Sequence, residues 1–165
     1  KEMGSPEVLI HNAVKGNFEK LLEGKPEWLE ENFRINTTSL MYLAHELIPN
    51  MIINKKGVII VTGNTAAKRG VANTPYFAPT KAAQRILAQS LAKDFGPKGI
   101  HVAYIMIDAF INTPWTRKRI PAQIDQPDNI FTQPKEIAEE IYHIAHQNRS
   151  AWSFDVEIRP DIEKW

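Results

Sequence analysis

The sequence contains no cysteine. This excludes disulfide cross-links and thiolate metal ligands, and it is the composition expected of a chain working in a reducing cytoplasm. An excess of charge of one sign is also missing: twenty Lys and Arg stand against nineteen Asp and Glu, a formal net charge of +1. That balance selects neither nucleic acid nor an anionic membrane as a partner. The one short basic cluster, Arg117-Lys118-Arg119, reads as a solvated loop. No apolar run approaches the ~18–20 residues of a membrane-spanning helix. The opening "KEMGSPEVLI" lacks the cationic, apolar and small-residue order of a signal peptide. No repeat, low-complexity tract or flexible linker divides the chain, so a single domain over 1–165 is expected.

What is present is alternation. Val8-Leu9-Ile10 is a short apolar run that reads as a buried strand, ending in a turn at His11-Asn12-Ala13. Pro26 suits the first turn of a helix, along which Leu29, Phe33, Leu40, Leu43, Leu47 and Met51 recur at helical spacing. Gly57 precedes Val58-Ile59-Ile60-Val61, an apolar, β-branched-rich run of the kind covered on both faces. A polar loop, "TGNTAAKRGVANTP", leads to a helix from about Phe77 to Phe95, stopped by Gly96-Pro97. "IHVAYIMI" reads as another buried strand, followed by an irregular stretch over 108–132. Pro134 opens a last helix, and "WSFDVEI" alternates as a strand. Strand and helix in turn predict an α/β fold, a parallel sheet with helices on both faces. Ligands of such sheets bind beyond the carboxyl ends of the strands.

Several polar residues sit where a pure core would exclude them. Asn36 lies on the apolar stripe of the first helix, and a buried amide requires specific partners. Two readings are open: a structural tie between helix and strand, or a catalytic amide. Lys81 follows Phe77 by one turn, about 40° away on the same helix face. Tyr76 is five residues from Lys81, about 140° around a regular helix, and is not placed to cooperate with it. Taken alone, Lys81 reads as a surface lysine. His143 and His146, with Glu139 and Glu140 nearby, have the i, i+3 spacing of metal ligands, but no third ligand is evident and a solvated face is the default. The stretch from Gly63 to Gly70 does not match a phosphate-binding loop.

Taken in order, the motifs resemble the C-terminal two thirds of a short-chain dehydrogenase/reductase. "VLIHNAV" resembles the family's Asn-Asn-Ala-Gly turn, with Val14 in place of glycine. "ENFRINTTS" is similar to the helix carrying the family's catalytic asparagine, here Asn36. "GVIIVTGNTAAKRG" resembles the strand and loop of its catalytic serine, whose position falls on Asn64, with Thr65 adjacent. "FAPTKAA" resembles the Tyr-x-x-x-Lys helix, with Lys81 kept and Phe77 at the tyrosine position, as in a Phe-x-x-x-Lys subgroup. "GPKGIHVAYIMIDAFINT" resembles the strand leading to the Pro-Gly-x-x-x-Thr segment, with Asp108-Ala109 replacing Pro-Gly and Thr113 kept, and "AWSFDVEIRP" resembles the last strand.

The resemblance implies a Rossmann-like doubly wound sheet and NAD- or NADP-dependent hydride transfer on a small-molecule carbonyl or alcohol. It assigns catalytic positions to Asn36, Asn64, Phe77 and Lys81, and cofactor contacts to Asn12, Ala13, Lys81, Ile111 and Thr113. With Phe77 lacking a hydroxyl, a water held by Lys81 and Asn36 is the expected proton source. The alternative is a catalytically impaired nucleotide-binding or interaction protein of the same fold. A homodimer or homotetramer through helices 26–50 and 77–95 is implied, as is a lid over 108–132 with Phe110, Trp115 and Ile120 as apolar contributors. The family's first portion, a βαβ unit of about 30 residues or more with a glycine-rich turn, has no counterpart ahead of Val8. The expectation is therefore a partial domain, its N-terminal βαβαβ portion absent from this sequence and a central strand left at the sheet edge.

Overall fold

Side chains alternate across a strand, so a sheet covered on both faces needs two interleaved apolar sets. The computed structural model describes residues 4–119 and 130–163 and shows both sets. Strands β1 (Val8–His11), β2 (Gly57–Gly63), β3 (Ile100–Ile107) and β6 (Asp155–Ile158) form a parallel sheet in the order β1-β2-β3-β6. On one face Ile59, Val61, Ile100, Val102, Tyr104 and Met106 pack beneath helices α2 (Ser39–Asn54) and α3 (Ala78–Phe95). On the other, Ile60, Ala103, Ile105 and Ile107 meet Ile137 and Ile144 of α5 (Pro134–Ala145). All eight residues of β3 are buried, as a central strand requires.

The first long helix departs from its regular reading. Helix α1 (Glu27–Phe33) continues through a π-helical turn (Arg34–Thr38) into α2. A π turn carries i→i+5 bonds and fits extra chain into a helix, shifting the phase of everything beyond it. Leu40, Ala44, Ile48 and Met51 therefore make the buried stripe of α2, whereas Leu43 is exposed.

Other expectations shift for local reasons. β1 pairs with β2 alone and is an edge strand among the described residues, leaving Val8 and Ile10 half exposed. Gly96 keeps helical angles, and the chain reverses at Gly99, with φ of +90°. The last strand shortens to Asp155–Ile158. The 108–132 stretch is not simply irregular: β4 (Phe110–Ile111) pairs in parallel with β5 (Phe131–Thr132), and α4 (Pro114–Arg119) takes up the basic cluster. Ile120 and the rest of 120–129 lie outside the described residues.

Candidate functional site

The carboxyl ends of β1, β2 and β3 deliver His11-Asn12, Thr62-Gly63-Asn64 and Ile107-Asp108-Ala109 to one rim of the sheet. Two of the depressions that open there share Asn64. A cavity of about 180 Å³ is lined by Asn12, Thr62, Asn64 and Lys81 as its polar members and by Val14, Ile107, Ala109 and Ile111 as apolar ones. A wider cleft of about 440 Å³ is lined by Phe18, Asn64, Arg69, Phe77, Asp108 and Phe110, among others.

Lys81 is not a surface residue: it is 2% exposed. Its ammonium donates to the Thr62 carbonyl at 3.2 Å and to the Gln84 Oε1. An ammonium has three N–H groups, so one remains for the smaller cavity that Lys81 lines. Burial disfavours the charged form and pushes its pKa down to about 8.

Asn64 caps the 3₁₀ turn Thr65–Ala67, its Oδ1 accepting from the Ala66 N–H at 3.2 Å. That bond fixes the amide so that its NH₂ end is left for a ligand. Gly63 lies over Tyr104 so closely that a Cβ would overlap the phenol. This close approach explains a glycine at the end of β2.

Asn36 is fully engaged. Its Oδ1 accepts from the Lys15 N–H, and its Nδ2 donates to the Lys15 carbonyl and to Thr80 Oγ1, each at 2.8 Å. No N–H of this side-chain amide is left over to donate to a water. What Asn36 supplies is attachment: with Asn32, which donates to the Tyr76 carbonyl at 2.9 Å, and Thr37, which donates to the Thr80 carbonyl at 2.8 Å, it docks the α1–π segment on the entrance of α3. The structural reading of Asn36 explains every bond its side chain makes.

Phe77 is the N-cap residue of α3, 2% exposed, with its ring centroid 4.9 Å from that of Phe18. Tyr76 is buried as well, but its hydroxyl donates to the Leu21 carbonyl at 2.6 Å and its ring meets Trp28 edge-on. It lines neither depression. Asn12 accepts from Thr62 Oγ1 at 2.6 Å and faces the smaller cavity, as does Ile111. Ala13 is exposed and lines neither cavity. Thr113 caps α4 through the Thr116 N–H at 3.1 Å and lines an apolar groove of about 350 Å³ beside α5.

Sequence reasoning missed Gln84, although it is the polar residue three positions after Lys81, on its helix face. It is fully buried and touches both Lys81 and His11. His143 and His146 stay on the exposed side of α5, where His146 Nδ1 donates to the Tyr142 carbonyl. Among the described residues no group of three or more His, Asp or Glu is placed to hold a metal. No helix among them is long and apolar enough to cross a membrane.

Comparison with known proteins agrees with the order of elements. The family model described as short chain dehydrogenase matches residues 1–123. The chain is similar to an uncharacterized oxidoreductase of Bacillus subtilis, at 24% identity over 81% of this chain and 57% of that protein. It superposes on a short-chain dehydrogenase from Rhodopseudomonas palustris with a TM-score of 0.74 at 27% identity, over 93% of this chain and 61% of that one. The closed form of a serine dehydrogenase complexed with NADP+ gives a TM-score of 0.87 at 19% identity, covering 100% of this chain and 69% of that one, a likeness of fold. The chain thus spans somewhat over half the length of that curated relative.

Proposed function

This chain belongs to the short-chain dehydrogenase family, and from that premise we propose that it serves NAD- or NADP-dependent hydride transfer between a nicotinamide and a small-molecule carbonyl or alcohol. The observation that carries the reading is the buried Lys81 ammonium, with two N–H groups held by the protein and the third left for a cavity walled by Asn12, Thr62 and Asn64. A ribose hydroxyl is an acceptor suited to that donor. The apolar wall of Val14, Ala109 and Ile111 suits the face of a flat heterocycle. The residues present therefore fit the nicotinamide-ribose end of such a cofactor, with Asn12, Lys81 and Ile111 as its contacts; Ala13 and Thr113, outside this cavity, are the remaining proposed contacts. The bound complex of the serine dehydrogenase supports the choice of ligand class by its fold.

When bound, the reduced nicotinamide supplies a hydride to the carbonyl carbon. The free NH₂ of Asn64, at the wall between the two depressions, donates to the carbonyl oxygen and stabilises the charge that develops on it. Phe77 and Phe18 exclude water from one side of the cleft without offering a proton. With the three N–H groups of Lys81 taken by Thr62, Gln84 and the ribose, the proton for the alkoxide comes from water in the cleft. Assembly into a homodimer or homotetramer through α2 and α3 is supported by Met41, Tyr42 and Leu43 on α2 and Ile86 on α3, all exposed. A cytoplasmic setting accords with the absence of cysteine.

Titration of the full-length protein with NADH and NADPH, followed by fluorescence, tests the reading. Binding weakened at least about tenfold by Lys81→Met is expected, the cost of one charge-assisted hydrogen bond. No binding of either nucleotide, or binding indifferent to Lys81, would overturn it. Tight binding with no turnover across a carbonyl panel would identify the impaired member instead.

A further inference from the structure

Lys81 does not end at Gln84. Gln84 Nε2 lies 3.2 Å from His11 Nδ1, and His11 Nε2 lies 2.8 Å from Ser39 Oγ. Ser39 Oγ in turn donates to the Ile35 carbonyl at 2.6 Å, within the π turn. The direction of every bond follows from the cationic end. An ammonium only donates, so Gln84 presents Oε1 to Lys81 and its NH₂ to the imidazole. His11 Nδ1 must then accept, which makes His11 a neutral ring with its proton on Nε2. Ser39 Oγ accepts the hydrogen bond from Nε2–H and donates its own O–H to the Ile35 carbonyl. Reversing any link leaves two donors or two acceptors face to face.

We propose that Gln84 and His11 are positioning residues for Lys81: they fix the ammonium so that its third N–H serves the cavity, and they fasten it through Ser39 to the turn that carries Asn36. This rests on the reading of Lys81 as the group that meets the nicotinamide ribose; the directed chain itself does not. Three elements meet in it: α3 through Lys81 and Gln84, β1 through His11, and the π–α2 helix through Ile35 and Ser39. The titratable group facing Lys81 is His11; β2 presents the Thr62 carbonyl and α3 the Gln84 amide. Burial, with the nearby Lys81 charge adding to it, pushes the His11 pKa down, in keeping with a neutral ring. Lysine has four rotatable bonds, so losing one of its two acceptors frees the head group to turn.

The test is nuclear magnetic resonance of the isotope-labelled full-length protein without nucleotide, following the His11 ring nitrogens and the Lys81 side chain from pH 5 to 10. The wild-type ring is expected to show the Nε2–H tautomer alone. Gln84→Glu keeps an acceptor for Lys81 but cannot donate to Nδ1. It should protonate His11 on both nitrogens near neutral pH and raise the Lys81 midpoint by about one unit or more, the size usual for a carboxylate beside an ammonium. Gln84→Leu should lower the Lys81 midpoint. A wild-type ring with its proton on Nδ1 overturns the proposal, and this needs no variant to fold. So do Lys81 and His11 titrations unchanged in both variants. These outcomes are independent of nicotinamide binding: expected spectra with no binding would sink the functional reading and leave the directed chain standing.

Discussion

Gly63 and Tyr104 occupy adjoining strands so closely that a Cβ on the glycine would overlap the phenol, its ring carbons as well as its oxygen. The Tyr104 hydroxyl is buried and has no partner among the described residues, and burial pushes its pKa up. Gly63→Ala should destabilise the protein by about 3 kcal/mol through overpacking, read from the urea midpoint. Tyr104→Phe should stabilise it by about 1 kcal/mol by removing an unsatisfied polar group. It should not rescue Gly63→Ala, because the ring carbons remain. A neutral Gly63→Ala would show that the two strands can part.

The pH dependence of stability should carry the signature of Lys81. Its folded pKa, about 8, lies below the unfolded value of 10.5. Between those values the unfolded chain binds the proton that the folded chain has released, so stability rises with pH across this window. Below pH 8 both forms are protonated and the burial penalty is present in full, up to roughly 3 kcal/mol. Tyr104 acts oppositely above pH 10, where the unfolded phenol ionises first. The difference between wild type and Lys81→Met in urea midpoints at pH 7, 8, 9 and 10 isolates the lysine. A flat difference would mean that Lys81 titrates as if exposed.

Phe77→Tyr should raise carbonyl reduction by about 10²–10⁴-fold, the usual contribution of a positioned acid. Phe77 lines the cleft that Asn64 also borders, one helical turn from Lys81. Single-turnover rates with a carbonyl panel measure it, and an unchanged rate on every substrate would remove this position from the chemistry.

Asn36→Ala should cost about 2–4 kcal/mol by leaving the Lys15 N–H and carbonyl without partners. Hydrogen exchange at the Lys15 amide should lose its protection at the same time. Full protection in the variant would mean that another group ties down this loop.

Much of this was legible in the sequence because it is local. The two-sided burial of β2 and β3 follows from unbroken apolar runs. The separation of Tyr76 from Lys81 was expected from helix geometry, but Tyr76 lies in the turn before α3 and its hydroxyl is held by the Leu21 carbonyl. The burial of Lys81 did not follow, since it depends on a carbonyl at Thr62 and an amide one turn on. Val8 and Ile10 read as buried because an apolar run does not say how many neighbours its strand has. His11 and Gln84 are 73 residues apart, and no periodicity links a strand end to a distant helix. The π turn was hidden for a different reason: its residues, Arg34 to Thr38, have no composition that a regular helix would refuse.

That turn also sets a rule for how this sequence can vary through descent. Deleting one residue from 34–38 would rotate the preceding segment by about 100° relative to α2, carrying Asn32 away from the Tyr76 carbonyl and Asn36 from Thr80. Substitutions along the exposed side of this helix are changes a lineage can absorb one at a time. A change in length here is not, because a single missing codon would undo several attachments at once. Homologues that keep this docking should therefore differ in letters across this stretch and agree in their count.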